Sequence, residues 1–240
     1  MKIRLASLHT SLRAGLSRAL PSLIALCIGI SASAQDCAKY LFLQKNKVIE
    51  MTISNKKGEV SGRQVYQVSD VNTSGGITSA NLNSEMFDKK DKSMAKASSV
   101  VKCNGGVMMI DMKMMMPQQQ AAQYNNVEAK ASDFYLEYPL GMHAGDALKD
   151  GSMTMDINHS GMSQTLNMLI SDRKVESQES VTTPAGTWNC WKITYKCKMG
   201  VKTGPINIPF NFEGTEWYAP GFGVVKTQSK YGGTEITSIK

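Results

Sequence analysis

The chain has 240 residues, 42% hydrophobic and 20% charged, with 27 Lys plus Arg against 20 Asp plus Glu. That composition excludes wholesale disorder and a multi-span membrane protein, and the length suits one β-rich domain or two small ones. The formal balance of +7 would suit a nucleic-acid or anionic-membrane partner, so the place of each charge along the chain matters.

Four of the bases, Lys2, Arg4, Arg13 and Arg18, lie in the first 34 residues, which hold no acid. An apolar run from Leu23 to Ile30 follows, then Ala32-Ser33-Ala34, a small-x-small site. This is the order of a cleaved export signal, and the run is too short for the roughly 20 residues that span a bilayer. Leu26 is too bulky to precede a lipidated Cys27, and the Ala-Ser-Ala ending argues against an uncleaved anchor. Cleavage after Ala34 is therefore expected. It leaves a periplasmic or secreted chain, residues 35–240, forming one domain with no integral membrane segment. Its balance falls to +3, carried by scattered lysines. The short clusters Lys56-Lys57 and Lys89-Lys90-Asp91-Lys92 fall in turn-like sequence, and no basic stripe tracks a groove, so no nucleic-acid partner is expected.

From there the apolar period is mostly two. Ile49, Met51 and Ile53 alternate with Glu50, Thr52 and Ser54, as strands with one buried and one wet face do. Turn chemistry divides the segments, as at Asn55-Lys56-Lys57-Gly58, Ser74-Gly75-Gly76 and Asn104-Gly105-Gly106. The breaks predict a mainly β fold, a curved antiparallel sheet or half-barrel of about ten strands.

Sixteen methionines are present, and six crowd residues 107–116. One strand face there reads Met108, Ile110, Met112, Met114 and Met116, while Asp111 and Lys113 stand on the other, as on a wet face. Three roles are open to these thioethers: plain core, the wall of a lipophilic pocket, or soft ligands for monovalent copper. Met153 and Met155 form a second same-face pair. Histidines that could complete a copper site are scarce, with only His143 and His159 beyond the signal segment.

Pro117 opens a Gln- and Ala-rich stretch that is predicted helical over about 117–129, packed on or across the sheet. Residues 138–148 read as an irregular loop between helix and sheet. Alternation then resumes. Met162, Leu166, Met168 and Ile170 share one parity, as do Trp191, Ile193, Tyr195, Cys197 and Met199, and later Ile206, Ile208, Phe210 and Phe212. Glu213 and Glu216 have opposite parity, so they cannot form a glycosidase pair on one face. No nucleophile elbow, phosphate loop, dinucleotide fingerprint or zinc motif occurs, so no cofactor and no enzymatic activity are expected.

Val181 to Ile193, with Thr183-Pro184-Ala185-Gly186 at its turn, resembles a strand–turn–strand of the TapB-like family of exported bacterial β-proteins. Glu216-Trp217-Tyr218-Ala219-Pro220-Gly221-Phe222-Gly223 resembles that family's closing hairpin. The resemblance covers about residues 130–240. It implies an exported protein of a Gram-negative bacterium and brings no catalytic residues with it. At the level of architecture alone, the pattern is similar to periplasmic lipoprotein carriers of the LolA type, a half-barrel over an apolar cavity.

Four cysteines lie beyond the signal segment. Cys190 and Cys197 are seven residues apart on one strand, about 23 Å at roughly 3.3 Å per residue, whereas a bridge needs Cα atoms within about 7 Å. A single bridge from Cys37 to Cys103 is expected, pinning the N-terminus of the processed chain to a strand end. Cys197 is then a buried thiol and Cys190 a free one. The expectation is a non-enzymatic protein binding a lipid or other apolar or amphipathic molecule. Its ligand residues are Met108, Ile110, Met112, Met114 and Met116, with Trp217 and Phe222 as an aromatic rim. A copper-binding module and an envelope assembly partner are the alternatives.

Overall fold

Alternation of apolar and polar side chains, broken by a few bulges, makes the described residues almost entirely strand. The computed structural model describes residues 37–115, 134–159 and 162–240, with backbone alone at 157–159 and 162. The expected signal segment, the helix over 117–129 and Met116 lie outside the described residues. The strands are β1 (Val48–Asn55), β2 (Val60–Ser74), β3 (Ile77–Asp88), β4 (Ser93–Asn104), β5 (Val107–Asp111) and β6 (Tyr135–Tyr138). They continue with β7 (Gly151–His159), β8 (Met162–Thr183), β9 (Gly186–Thr203), β10 (Ile206–Ala219), β11 (Gly223–Ser229) and β12 (Gly232–Ile239).

These strands form one sheet, ordered β6-β5-β4-β3-β2-β1-β12-β11-β10-β9-β8-β7. Every neighbouring pair is antiparallel. Two meanders, β1 to β6 and β7 to β12, are thus joined where the first strand pairs with the last, Ile49 opposite Ile239. The two sheet edges, β6 and β7, approach each other to make a nearly closed barrel. At that seam a Cβ on Gly151 of β7 would lie 2.6 Å from Leu136 Cδ2 of β6 and 2.8 Å from Met112 Sδ. Only glycine fits so close an approach.

One end of the barrel is stoppered by the chain's own N-terminal segment. Tyr40, Leu41, Phe42 and Leu43, around a single 3-10 turn, are all buried. Phe42 meets Tyr66 edge-on at 6.0 Å, and Tyr218 donates a hydrogen bond to Tyr40 Oη at 3.2 Å. The Cys37–Cys103 disulfide, with Cα atoms 5.7 Å apart, ties this stopper to the end of β4, as the sequence predicts. Cys190 and Cys197 remain thiols and are buried. Burial pushes them up to about 11 and about 12 respectively, so both are held as neutral apolar groups.

Two local expectations change. Among the described residues there are twelve strands where about ten were expected, and one of them is short β6, which ends where the stretch taken for a loop begins. The methionine strand stops at Asp111, and Met112–Met115 form a 3-10 turn. Asp111 causes the stop. Its carboxylate accepts the Lys113 N–H at 2.9 Å and the Val100 N–H at 3.4 Å, which bends the backbone as a local side-chain turn. Asp111 is therefore buried and not on a wet face. Burial raises its carboxyl, and the neighbouring Lys113 charge opposes that rise.

The disulfide closes a separation of 66 residues, and it ties the stopper to the sheet. Replacing Cys37 and Cys103 together by alanine should cost about 2–5 kcal/mol. Urea unfolding under oxidising conditions measures this, and an unchanged midpoint would show that the stopper holds without its tether.

Candidate functional site

Met108, Ile110 and Met112 lie together in the core and are buried. Met108 stands opposite Tyr138 and Ile110 opposite Leu136. Met114, beyond the end of β5, is partly buried against the core. Trp217 and Phe222 are also partly buried against the core, but their ring contacts lie elsewhere. Trp217 is on the opposite face of β10 from Glu216, where its indole N–H donates to Glu179 and Lys226 Nζ stands 5.5 Å from the ring. Phe222 packs on Trp188, with ring centroids 5.0 Å apart. His143 is an exposed turn residue whose backbone N–H donates to Asp146 at 2.7 Å.

The interior contains a polar cluster that strand parity conceals. Ile170 and Arg173 of β8 both point inward although they are three positions apart. A bulge between Ser171 and Lys174 makes this possible, with Asp172 at φ 53°, because the inserted residue shifts the alternation by one. Arg173 Nη1 donates to the carbonyls of Glu137 in β6 at 3.1 Å and of Lys149, just before β7, at 3.0 Å. Its other arm lies 3.5 Å from Glu216 Oε1. Tyr138 Oη donates to the Glu216 carboxylate, 3.0 Å from either oxygen, and its ring stacks on Tyr218 at 4.6 Å. Burial raises the Glu216 carboxyl, while the Arg173 charge and the Tyr138 hydrogen bond oppose that rise. Tyr138 is held far above its usual range, by burial first and by the Glu216 charge second. Arg173, Glu216, Tyr138 and Tyr218 are all fully buried, so this group braces the barrel and is closed to a substrate. Glu213 is exposed on the other face of β10, as its parity predicts.

The wall from β7 to β10 has a different character. Directly opposed residues form two inner-face rows: Met155, Leu166, Val201, Ile208 and Met153, Met168, Met199, Phe210. Along the first row exposure climbs from 0% at Met155 to 64% at Ile208. The cause lies in strand lengths. On its far side β10 pairs with β11 only from Gly214 onward, which leaves Ile206 to Glu213 without a neighbour there. Phe210, Phe212 and Tyr231 gather at this open mouth, with Phe210 and Tyr231 stacked at 4.6 Å. On the outer wall an open groove of about 750 Å³ runs past Arg63, Glu85, Phe87 and Lys96. A shallower one of about 460 Å³ lies by Gly200, Thr154, Asn167 and Asn207. Neither groove is lined by a residue foreseen as a ligand contact. Among the described residues no group of three or more His, Cys, Asp or Glu is placed to hold a metal ion.

A family model described as DUF3108-like matches residues 44–238, which covers the whole sheet apart from its last residue. The chain belongs to the DUF3108-like family. Two solved structures share its fold. One is a Bacteroides fragilis protein described as exported, with a YmcC-like fold. It is 23% identical over 82% of this chain and 96% of its own, with a TM-score of 0.66. The other is a Parabacteroides distasonis protein described as a lipoprotein, 21% identical over 84% of this chain and 99% of its own, at 0.69. No curated protein matches the sequence. No helix among the described residues of this DUF3108-like chain is long and apolar enough to cross a membrane.

The polar cluster makes two predictions. Arg173→Met strands Glu216 and two seam carbonyls, and should lower stability by about 3–5 kcal/mol in urea unfolding; a loss under about 1 kcal/mol would mean that the seam closes without it. A carboxyl held above 4.5 binds its proton more tightly when folded. Its stabilisation is complete below that pH and is lost as pH rises through the folded value. Glu216→Gln removes this titration. The variant should therefore gain on the parent as pH rises from 4.5, and a pH-independent difference would refute the assignment.

Proposed function

We propose that this DUF3108-like chain is an exported envelope protein that binds an apolar or amphipathic molecule and performs no catalysis. The carrying observation is the continuous apolar inner face that leaves the core between β7 and β10 and ends exposed at Ile206 and Ile208. Export is supported by the signal-like residues 1–34, with cleavage after Ala34 leaving residues 35–240 as one domain. The descriptions of the two structural relatives as exported and lipoprotein agree with it, as does the resemblance of residues 181–193 and 216–223 to TapB-like exported proteins.

In this reading the polar head of the ligand stays at the mouth beside Tyr231. Its apolar tail follows the rows toward the methionine-rich interior, where Met108, Ile110 and Met112 form the far wall. Thioethers repack around variable shapes more readily than branched side chains do. The likeness to LolA-type carriers supports the same idea at the level of architecture.

A fluorescent fatty acid, 11-(dansylamino)undecanoic acid, reports on this site when added below its micelle concentration. Saturable binding is expected, and Ile208→Asp should weaken it by about tenfold or more, since burial of such a side chain contributes roughly 1.5–3 kcal/mol. Absence of saturable binding, or an Ile208→Asp variant that binds as the parent does, would remove the proposal.

A further inference from the structure

An antiparallel meander sends alternate turns to opposite ends of a barrel. The turns at 55–60, 88–93, 203–206 and 229–232 share one end; those at 74–77, 104–107, 183–186 and 219–223 share the other. The second set of turns contains no charged residue, and the charges of that end, Asp146, Lys149 and Asp150, lie in the β6–β7 connection with acids outnumbering lysines. The first gathers both lysine clusters, 56–57 and 89–92, includes Lys230 and is flanked by Lys202. Acids at this end are fewer and are engaged within it. Asp88 accepts backbone N–H groups of Lys90 and Lys92. Asp91 pairs with Arg63, and Glu59 accepts from the Asn55 amide.

The same end carries the most exposed of the large apolar side chains. Ile206 and Ile208 are 62% and 64% exposed, Val60 62% and Met94 52%, with Tyr231 beside them at 46%. From Lys196 to Phe212 the β9–β10 hairpin contains three lysines and no acid. Its apolar residues, Ile206, Ile208, Phe210 and Phe212, share the inner face, while Lys198 and Lys202 have the opposite parity of the paired strand. Among the described residues neither of these lysines is in an ion pair, and Lys230 lies over the Tyr231 ring at 5.1 Å.

We infer that this end of the barrel docks on an anionic lipid surface. Ile206, Ile208, Val60 and Met94 enter the headgroup boundary, Tyr231 sits at its level, and the surrounding lysines meet lipid phosphates. Apolar tips ringed by lysine and aromatic residues are the chemistry that an anionic membrane interface recognises. Addition of a partner strand is the competing use of the free β10 edge. It is disfavoured by Pro209, in the middle of the unpaired stretch, which has no N–H to give to a ladder. The inference deepens the amphiphile-binding proposal and rests on it, since a membrane is the place from which such a ligand would be taken.

Sedimentation of the full chain with large vesicles tests it, using phosphatidylcholine with and without phosphatidylglycerol. Binding to anionic vesicles is expected to exceed binding to neutral ones by about tenfold or more, and to weaken as salt rises from about 50 to about 300 mM. Ile206→Asp with Ile208→Asp should cut binding by about tenfold, a loss that binding through residues 1–34 alone would not show, while Ile77→Asp, at the opposite end, should leave it unchanged. Should the double variant misfold by circular dichroism, Lys57→Glu with Lys90→Glu puts the same question through charge alone. Equal affinity for neutral vesicles, or full binding by a folded variant of either kind, overturns the inference. Binding of the dansylated acid without vesicle binding overturns it and spares the ligand proposal; loss of both removes the two together.

Discussion

A sheet that curls into a barrel must do something with its last two edges, and here the task falls largely on one guanidinium group. β6 and β7 approach closely at the seam, and Arg173, reaching in from β8, donates to a carbonyl of β6 and to another at the entrance to β7. A planar fork of fixed donors suits this better than an ammonium would, because one arm can serve two backbone acceptors while the other faces a carboxylate. The charge this brings into the interior is offset by Glu216, two strands away on β10. Glu216 in turn fixes Tyr138, Tyr138 stacks on Tyr218, and Tyr218 bonds to Tyr40 of the stopper. The seam, β10 and the stopper are thus coupled through one run of buried polar contacts.

Buried ion pairs seldom add stability over a well-packed apolar core, and in some proteins they serve instead to select one arrangement over others. That fits a barrel whose remaining interior is soft. Methionines dominate the faces near the seam, and thioether side chains fill space without dictating a single packing. Geometry is imposed instead by the polar contacts and by glycines such as Gly214, where a Cβ would lie 2.3 Å from the Tyr195 ring. Rigid bracing at the seam beside a compliant wall opening toward β10 is a workable division for a protein that accepts an apolar guest.

The fold class and the inner faces of β1 and β10 were legible in the sequence because each depends on local alternation; for the Cys37–Cys103 bridge, reach along a strand removed only the Cys190–Cys197 pairing. Arg173 was not. Counting from Ile170 by twos puts it on the outside, and only the bulge at Asp172 turns it in. Asp111 looked like a wet-face residue because its bonds to the backbone at Lys113 and Val100 have no periodic signature. The lysine clusters looked like ordinary turns, which each is in isolation. Their common position emerges only when strand direction assigns alternate turns to one end. The predicted aromatic rim of Trp217 and Phe222 joined residues close in sequence that the strand faces and the following turn send to different surroundings.

The pairing of β1 with β12 has a kinetic consequence. Ile49 and Ile239 are far apart in sequence, so the ladder that unites the two meanders cannot form until β12 has been synthesised. Such long-range closure makes folding slow, since much entropy is lost before the final contacts are made. During that interval the first meander has an unpaired edge at β1, and the cysteines are accessible to one another in pairings that the finished barrel forbids. A helper that shields the β1 edge, or an oxidant that acts only after closure, would raise the yield of native protein more than any strengthening of the core.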